Sequence, residues 1–127
     1  MDRCTVNELK RMEFNGHIRP HTFHDGVTAV AVRYWTELDI VFVGWLVRNH
    51  HLTVDKLPLL DHAGKGKYFI NNQPVHKHPD KDGKWKSVGI YCVDTKYNAD
   101  AHIKNLLAAL QALRVPNPKF TISFHSC

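Results

Sequence analysis

Residues 99–113 constrain the fold more than any other stretch of the chain, because their apolar side chains repeat at helical spacing. The stripe consists of Ile103, Leu106, Leu107, Leu110 and Leu113. It predicts an amphipathic helix with one face packed on a core. Asn98 suits the N-cap position, and Pro116 and Pro118 end the helix. The segment that follows, residues 120–125, alternates apolar and polar residues as a half-buried strand does.

Two apolar segments, residues 27–35 and 40–48, are rich in β-branched and aromatic side chains. This composition predicts two strands joined by a four-residue loop. The alternative for residues 40–48 is a helix capped by Thr36 or Asp39, because periodicity does not separate strand from helix in a short apolar run. The β-branched content and Gly44 favour the strand.

The remaining elements are shorter. A capping-box pattern at Thr5–Glu8 predicts a helix over residues 6–14, ended by Asn15 and Gly16. Further predictions are one or two helical turns at 55–62 and strands at 67–71 and 85–94.

Together the elements predict an α+β fold, and 127 residues suit a single globular domain, residues 1–127. We expect a mixed or antiparallel sheet of about five strands, with the N-terminal helix and the long C-terminal helix packed mainly on one face. Strand, long helix, strand over residues 85–125 suggests a crossover connection.

Cysteine spacing and hydropathy indicate the cellular compartment in which we expect the protein. Cys4, Cys92 and Cys127 are widely spaced and form no CxxC pair, which favours a reducing compartment. The start of the chain is charged and lacks the apolar core of a signal peptide. The longest apolar run, residues 40–47, is too short to cross a bilayer. These features predict a cytoplasmic protein without membrane association.

Charge and histidine content point to the chemistry of a partner. The formal net charge is +5 and there are ten histidines, which makes an anionic partner more plausible. Histidine and carboxylate side chains gather at His17, His21, His24 and Asp25, and again at His76 and His78. Such groups suit acid–base catalysis or a divalent metal, so His21, His24 and Asp25 are candidate catalytic residues, and His76 and His78 are candidate metal ligands. Exposed loop histidines with no cofactor are the simpler interpretation and the one we expect.

A lysine-rich stretch is the second candidate region. Its cations and aromatics are Lys65, Lys67, Lys77, Lys81, Lys84 and Lys86 with Tyr68, Phe69 and Trp85. Phosphate contacts from lysine and base stacking on aromatics would hold a single-stranded nucleic acid. A solvated lysine and aspartate loop is the competing interpretation.

The turn into the long helix is the third candidate region. Asp94, Lys96 and Tyr97 lie where a strand end and a helix N-terminus can form a ligand crevice. We therefore predict ligand binding by these three residues together with Lys84, Trp85 and Lys86. Turn formation and helix capping are the plainer roles for the same positions.

The function that the sequence favours is a small cytoplasmic binding module for an anionic or small-molecule ligand. Apolar side chains on both faces of the hairpin predicted over residues 27–48 favour a homo-oligomer, with a dimer as the first choice. A histidine-dependent hydrolase or lyase acting on a phosphorylated substrate, with or without a metal, is one alternative. A nucleic-acid-binding protein is the other.

Overall fold

The computed structural model describes residues 3–14 and 17–126, and over these residues the chain is α+β. The helices are α1 (Val6–Leu9), α2 (Trp35–Arg48) and α3 (Ala99–Ala112), with a 3-10 turn at Val54–Lys56. The strands are β1 (Arg3–Cys4), β2 (Ile18–His24), β3 (Ala29–Ala31), β4 (Leu59–Leu60), β5 (Tyr68–Asn71), β6 (Trp85–Val88), β7 (Tyr91–Asp94) and β8 (Thr121–Ser126).

The strands form two antiparallel sheets in place of the predicted single sheet of about five strands. The first sheet has the order β1-β8-β2-β3 and the second β4-β5-β7-β6. Strands β7 and β8, which flank α3, belong to different sheets, so the predicted crossover within one sheet is wrong. The predicted strand over residues 85–94 is two strands, because Gly89 at φ +59° turns the chain between β6 and β7.

Helix α2 is the central element of the fold. It contacts β2 of the first sheet, β6 and β7 of the second sheet, and α3. Its buried side chains are Leu38, Asp39, Phe42, Val43, Trp45 and Leu46. The favoured strand over residues 40–48 is therefore wrong. A helix that is surrounded on several sides carries apolar side chains around most of its surface, and its sequence then lacks the usual helical alternation of apolar and polar residues. The strand predicted over 27–35 shrinks to β3 because Trp35 begins the helix.

Other local predictions are confirmed. Thr5 and Glu8 form the capping box of α1, although this helix is only one turn long. Asn98 caps α3 by accepting a hydrogen bond of 2.9 Å from the backbone N–H of Ala101. The alternating residues of the last strand face the core: Phe120 and Ile122 are at most 1% exposed, and the Phe120 ring stacks 4.9 Å from Phe23. The predicted helix end at Asn15 and Gly16, and Cys127, lie outside the described residues.

Among the described residues, no helix combines the length and apolar character needed to cross a bilayer. Over the same residues, no group of three or more histidine, cysteine or carboxylate side chains is arranged to hold a metal ion.

Candidate functional site: a cationic cleft beside a buried histidine

A cleft of about 740 Å³ lies where the first turns of α2 and α3 approach β2. We call it the His102 cleft, after the histidine at its base. Its cationic lining is Arg19, Arg33, Lys84 and Lys96, and its ring-bearing lining is Tyr34, Trp35, Tyr97 and His102. A cleft of this size fits a small organic ligand.

Among the described residues, one of the four cations that line the cleft has a direct carboxylate partner. Lys96 Nζ lies 3.7 Å from a carboxylate oxygen of Asp82, and both side chains are substantially exposed, so this pair is weak. Within residues 3–14 and 17–126, the other three cations have no carboxylate within 4.0 Å. The exposed charges of the cleft are therefore mainly positive and favour an anion, although three buried carboxylates, Asp39, Asp61 and Asp94, lie close to its Tyr97 wall.

Two helix N-termini add to this potential. Helix α2 starts at Trp35, and its N-cap residue Tyr34 provides no side-chain hydrogen bond to the first turn. Helix α3 starts at Ala99, also in the lining of the cleft. The unpaired N–H groups and the dipole of a helix N-terminus favour negative charge. Each helix already has one carboxylate in its first turn, Glu37 in α2 and Asp100 in α3, so the two helices add to the four cations only in part.

His102 and Asp39 form a buried pair at the base of the cleft. His102 Nδ1 lies 2.7 Å from Asp39 Oδ2, and the two side chains are 3% and 1% exposed. The indole of Trp35 stacks on the imidazole with centroids 5.8 Å apart and an angle of 12° between the planes. Tyr97 packs edge-on against the same ring at 6.1 Å. The imidazole is thus held in one orientation by a carboxylate and two aromatic rings.

The second ring nitrogen of His102 is not engaged by the part of the protein that the structure describes. Among the described residues, Nε2 has no hydrogen-bond partner, and the one fully buried side-chain polar atom without a partner is Nδ2 of Asn105. Nε2 therefore keeps contact with solvent, and the cleft is the space that His102 lines. A neutral imidazole whose Nδ1–H donates to a carboxylate presents a lone pair at Nε2.

The protonation of Asp39 controls this arrangement. Burial raises the pKa of Asp39 to about 6, with a smaller raising effect from Asp94, although the hydrogen bond and charge of His102 act to lower it. Above that pH the carboxylate is ionised and only accepts hydrogen bonds, so Nδ1 of His102 must carry the proton.

A second buried pair, His76 and Asp94, has a different chemistry. His76 Nε2 lies 2.8 Å from Asp94 Oδ2, and its Nδ1 accepts a hydrogen bond of 2.9 Å from the backbone N–H of Tyr68. Both ring nitrogens are therefore satisfied within the protein. Asp94 Oδ1 also accepts hydrogen bonds from the backbone N–H groups of Lys84 and Lys96, each 3.0 Å long. This pair fixes the two loops that carry the lysines of the cleft.

Tyr97 connects the cleft to a third buried carboxylate. Its hydroxyl donates a hydrogen bond of 3.1 Å to Asp61 Oδ2. Burial and the nearby carboxylates of Asp61, Asp94 and Asp39 raise the pKa of Tyr97, so its hydroxyl stays protonated. Lys67 Nζ lies 5.0 Å from the centroid of the Tyr97 ring. Tyr97 is therefore a fixed aromatic wall rather than an acid or base.

The structure brings together three of the six predicted ligand-binding residues. Lys84, Lys96 and Tyr97 line the His102 cleft. Asp94 lies behind it as the acceptor that holds both lysine loops. Trp85 packs on His76 with ring centroids 4.7 Å apart, and Lys86 is exposed on β6 outside the cleft.

The predicted catalytic residues near β2 have separate local contacts and do not come together in one cluster. Asp25 accepts backbone hydrogen bonds from Val27 and Thr28 and so closes the turn after β2; these bonds lower its pKa. His24 Nε2 lies 2.7 Å from the hydroxyl of Thr22, whereas His21 is exposed and packs near His125. None of these residues lines the His102 cleft.

The predicted metal pair and the nucleic-acid surface are also not assembled. His76 is buried with both nitrogens engaged, and His78 is exposed. Phe69 is fully buried and Trp85 covers His76, so neither ring is placed to stack on bases. Tyr68 is half-buried and lies beside His76 with ring centroids 6.2 Å apart, so the three aromatics do not form the exposed platform that single-strand binding uses.

Four residues of the candidate site were not predicted from the sequence: Asp39, His102, Arg19 and Arg33. The two arginines lie in segments with no motif. Asp39 and His102 did leave a signal, because each is a polar residue within an otherwise apolar pattern. His102 in particular lies one residue before Ile103 on the buried stripe of α3, and a polar residue there needs a buried partner.

A second cavity, of about 820 Å³, lies between α1 and the end of α3. Its charged side chains are His62, Lys10, Lys104 and Arg114, all exposed. Lys104 is already paired with Asp100 at 2.7 Å. Because no buried titratable group lines this cavity, the His102 cleft is the stronger candidate site.

Comparison with family models, curated proteins and solved structures finds no match for this chain. The chemistry of the cleft is therefore the basis on which its function can be argued.

Proposed function

We propose that this protein binds a small phosphorylated compound with a planar ring in the His102 cleft. One observation carries the proposal: four cationic side chains and two helix N-termini converge on a cleft with aromatic walls. The cations suit a dianionic phosphate, and Trp35 and Tyr97 suit a ring. A binding module for an anionic or small-molecule ligand is the function that the sequence favours, and the lining of the cleft supports this proposal.

Phosphate is a better match than a simple carboxylate. Arg19 and Arg33 each offer a planar fork of N–H donors that can hold two oxygens of a phosphate. Lys84 and Lys96 add compact charges from loops held by Asp94. A phosphate presents three terminal oxygens and about two negative charges, and so uses more of these donors than a carboxylate does.

The test is titration with phenylphosphonate, whose carbon–phosphorus bond resists hydrolysis, followed by calorimetry and by tryptophan fluorescence. Lys84→Ala removes a charge from the cleft, and Lys86→Ala removes the same charge two residues away on the outer surface. We expect Lys84→Ala to weaken binding about tenfold, which corresponds to about 1.4 kcal/mol. Lys86→Ala should change the affinity less than twofold.

Equal losses in the two variants would contradict the proposal, because they would indicate attraction to the net charge alone. Phenol and inorganic phosphate separate the two halves of the ligand: each should bind more weakly than phenylphosphonate. Binding of phenol as tight as that of phenylphosphonate would mean that the cations do not contribute.

Cytoplasmic location and self-association are further proposals. The free thiol of Cys92 supports a reducing compartment. The predicted dimer loses its original reason, because Phe42 and Trp45 are buried in α2 rather than displayed on a hairpin. Exposed apolar surface beside the edge strand β3 supports self-association: Val27 and Tyr34 are 91% and 59% exposed there. Light scattering after size-exclusion chromatography measures the molar mass and decides between monomer and dimer.

A further inference from the structure

We infer that His102 and Asp39 make the His102 cleft a hydrolytic site, in which Nε2 of His102 activates water against a phosphate monoester. This inference rests on the proposed function, since the same cations would bind the phosphate of the substrate. It goes beyond binding because a binding site needs positive charge and shape, but it does not need an oriented base.

The burial of the pair is the first argument. Asp39 and His102 are 1% and 3% exposed where α2 meets α3, and a pair of apolar side chains there would pack without a desolvation cost. Buried histidine–carboxylate pairs need a reason beyond stability, and orientation of a base is one that the geometry fits.

The comparison with His76 is the second argument. Both histidines are almost fully buried and both contact a carboxylate, at 2.8 Å for His76 and 2.7 Å for His102. His76 has its second nitrogen occupied by the backbone N–H of Tyr68, as a structural histidine should. His102 instead leaves Nε2 without a partner among the described residues, and His102 is one of the residues that line the cationic cleft. The chain thus contains two buried histidine–carboxylate pairs: both ring nitrogens of His76 have partners, whereas one ring nitrogen of His102 has none among the described residues.

The step balances with water as the co-reactant. Nε2 accepts a proton from water as the water oxygen forms a bond to phosphorus, and the ester P–O bond breaks with its electron pair staying on the leaving oxygen. The imidazolium releases its proton to solvent, and the leaving oxygen takes one up. The products are an alcohol or phenol and inorganic phosphate, and His102 returns to the neutral form.

Each group in the cleft has a distinct role in this step. His102 is the catalytic residue, because it would touch the attacking water. Asp39 is a positioning residue that fixes the tautomer and stabilises the imidazolium. Arg19, Arg33, Lys84 and Lys96 would stabilise negative charge on the phosphoryl oxygens, which is the larger part of catalysis in phosphoryl transfer.

The experiment measures hydrolysis of p-nitrophenyl phosphate and binding of phenylphosphonate on the same full-length preparations. His102→Asn keeps an amide that can donate to Asp39 but has no atom at the Nε2 position. Thermal unfolding shows whether each variant is folded. His78→Ala, an exposed histidine outside the cleft, is the matched control.

We expect the wild type to turn over and His102→Asn to lose kcat by about 100-fold or more, with the phenylphosphonate affinity within about threefold of the wild type. Asp39→Asn should lower kcat at least tenfold, which is about 1.4 kcal/mol, with KM nearly unchanged. His102→Ala opens space for imidazole, and added imidazole should restore part of its turnover. This rescue keeps the test decisive if either asparagine variant does not fold.

Two results would overturn the inference, and they differ from the result that overturns binding. Phenylphosphonate binding without turnover, or turnover that survives His102→Asn, refutes hydrolysis by His102 and leaves the proposed function intact. Absence of phenylphosphonate binding refutes the proposed function and the inference together.

Discussion

His102 Nδ1 lies 2.7 Å from Asp39 Oδ2, although 63 positions separate the two residues in the chain. The contact joins the first turns of α2 and α3 and brings their N-termini to the same cleft. Because the pair is buried, the charge on Asp39 costs free energy that the protein recovers only in part from the imidazole. Asp39 should therefore make stability depend on pH in a direction opposite to that of most carboxylates.

Asp39→Asn tests this dependence. The pKa of Asp39 is raised from the ordinary 3.8 to about 6 in the folded protein. Between these values the folded state holds a proton that the unfolded state has lost, so stability from this group is full below about pH 4 and is lost as the pH rises through about 6. The free energy of unfolding of the wild type, minus that of Asp39→Asn, should fall by up to about 3 kcal/mol over this range, at about 1.4 kcal/mol per pKa unit.

Urea unfolding at several pH values from 4 to 7 measures this difference. The same comparison on a His102→Asn background removes the imidazole partner of Asp39 and should show a fall of the same sign. A difference that stays constant, or that grows with pH, would mean that Asp39 is ionised throughout.

The two histidines of the H-K-H segment should respond very differently to truncation. His76→Ala leaves Asp94 buried without its partner and the N–H of Tyr68 without an acceptor, so we expect a loss of about 3 to 5 kcal/mol in the free energy of unfolding. His78→Ala is the control, because an exposed side chain away from special features usually changes stability by less than about 0.5 kcal/mol. Urea unfolding at pH 7 measures both. Similar small losses would show that the His76–Asp94 pair does not hold the loops in place.

Gly83 lies where the backbone passes close to this pair. A Cβ at position 83 would lie 2.7 Å from Nε1 of Trp85 and 3.0 Å from the carboxyl group of Asp94. Gly83→Ala should therefore cost about 1 to 3 kcal/mol of stability. It should also weaken phenylphosphonate binding, because Asp94 holds the backbone of Lys84 and Lys96.

Gly44→Ala is the matched control for this substitution. A Cβ at position 44 meets a flexible guanidinium nitrogen of Arg48 at 3.2 Å, and alanine suits a helix interior. We expect a neutral or stabilising effect of up to about 1 kcal/mol, with binding unchanged. Thermal unfolding together with phenylphosphonate titration compares the two variants. A destabilisation by Gly44→Ala as large as that by Gly83→Ala would contradict the explanation from the Trp85–Asp94 contact.

The elements that the sequence predicted well are those whose signals are local. The apolar stripe and the Asn98 cap of α3, and the capping box of Thr5 and Glu8, are each complete within one or two helical turns. The alternation of Phe120, Ile122 and Phe124 likewise reflects one buried face. In each case the energy that selects the structure comes from residues that are close in the chain.

The errors arise where distant contacts decide the structure. Residues 40–48 have the composition of a strand, but contacts with both sheets and with α3 favour a helix buried on several sides. The same distinction between local and distant contacts applies to the residues of the candidate site. Lys84, Lys96 and Tyr97 could be predicted because they flank turns, whereas Asp39 and His102 acquire their roles only when α2 meets α3. No spacing rule connects two residues in separate helices.

The order of strands in the first sheet sets a constraint on synthesis. Strand β8 pairs with both β1 and β2, so it occupies an inner position, yet it follows every other described element in the chain. Until β8 has emerged from the ribosome, β1 has no partner strand and the hairpin of β2 and β3 has an open edge. The nascent chain can form its helices early, but this sheet must close late. Its closing contacts span about one hundred residues, and such long-range pairing slows folding. The nascent chain therefore passes through a period in which an unpaired strand is exposed. During that time it depends on chaperones or on rapid closure of the sheet to avoid aggregation.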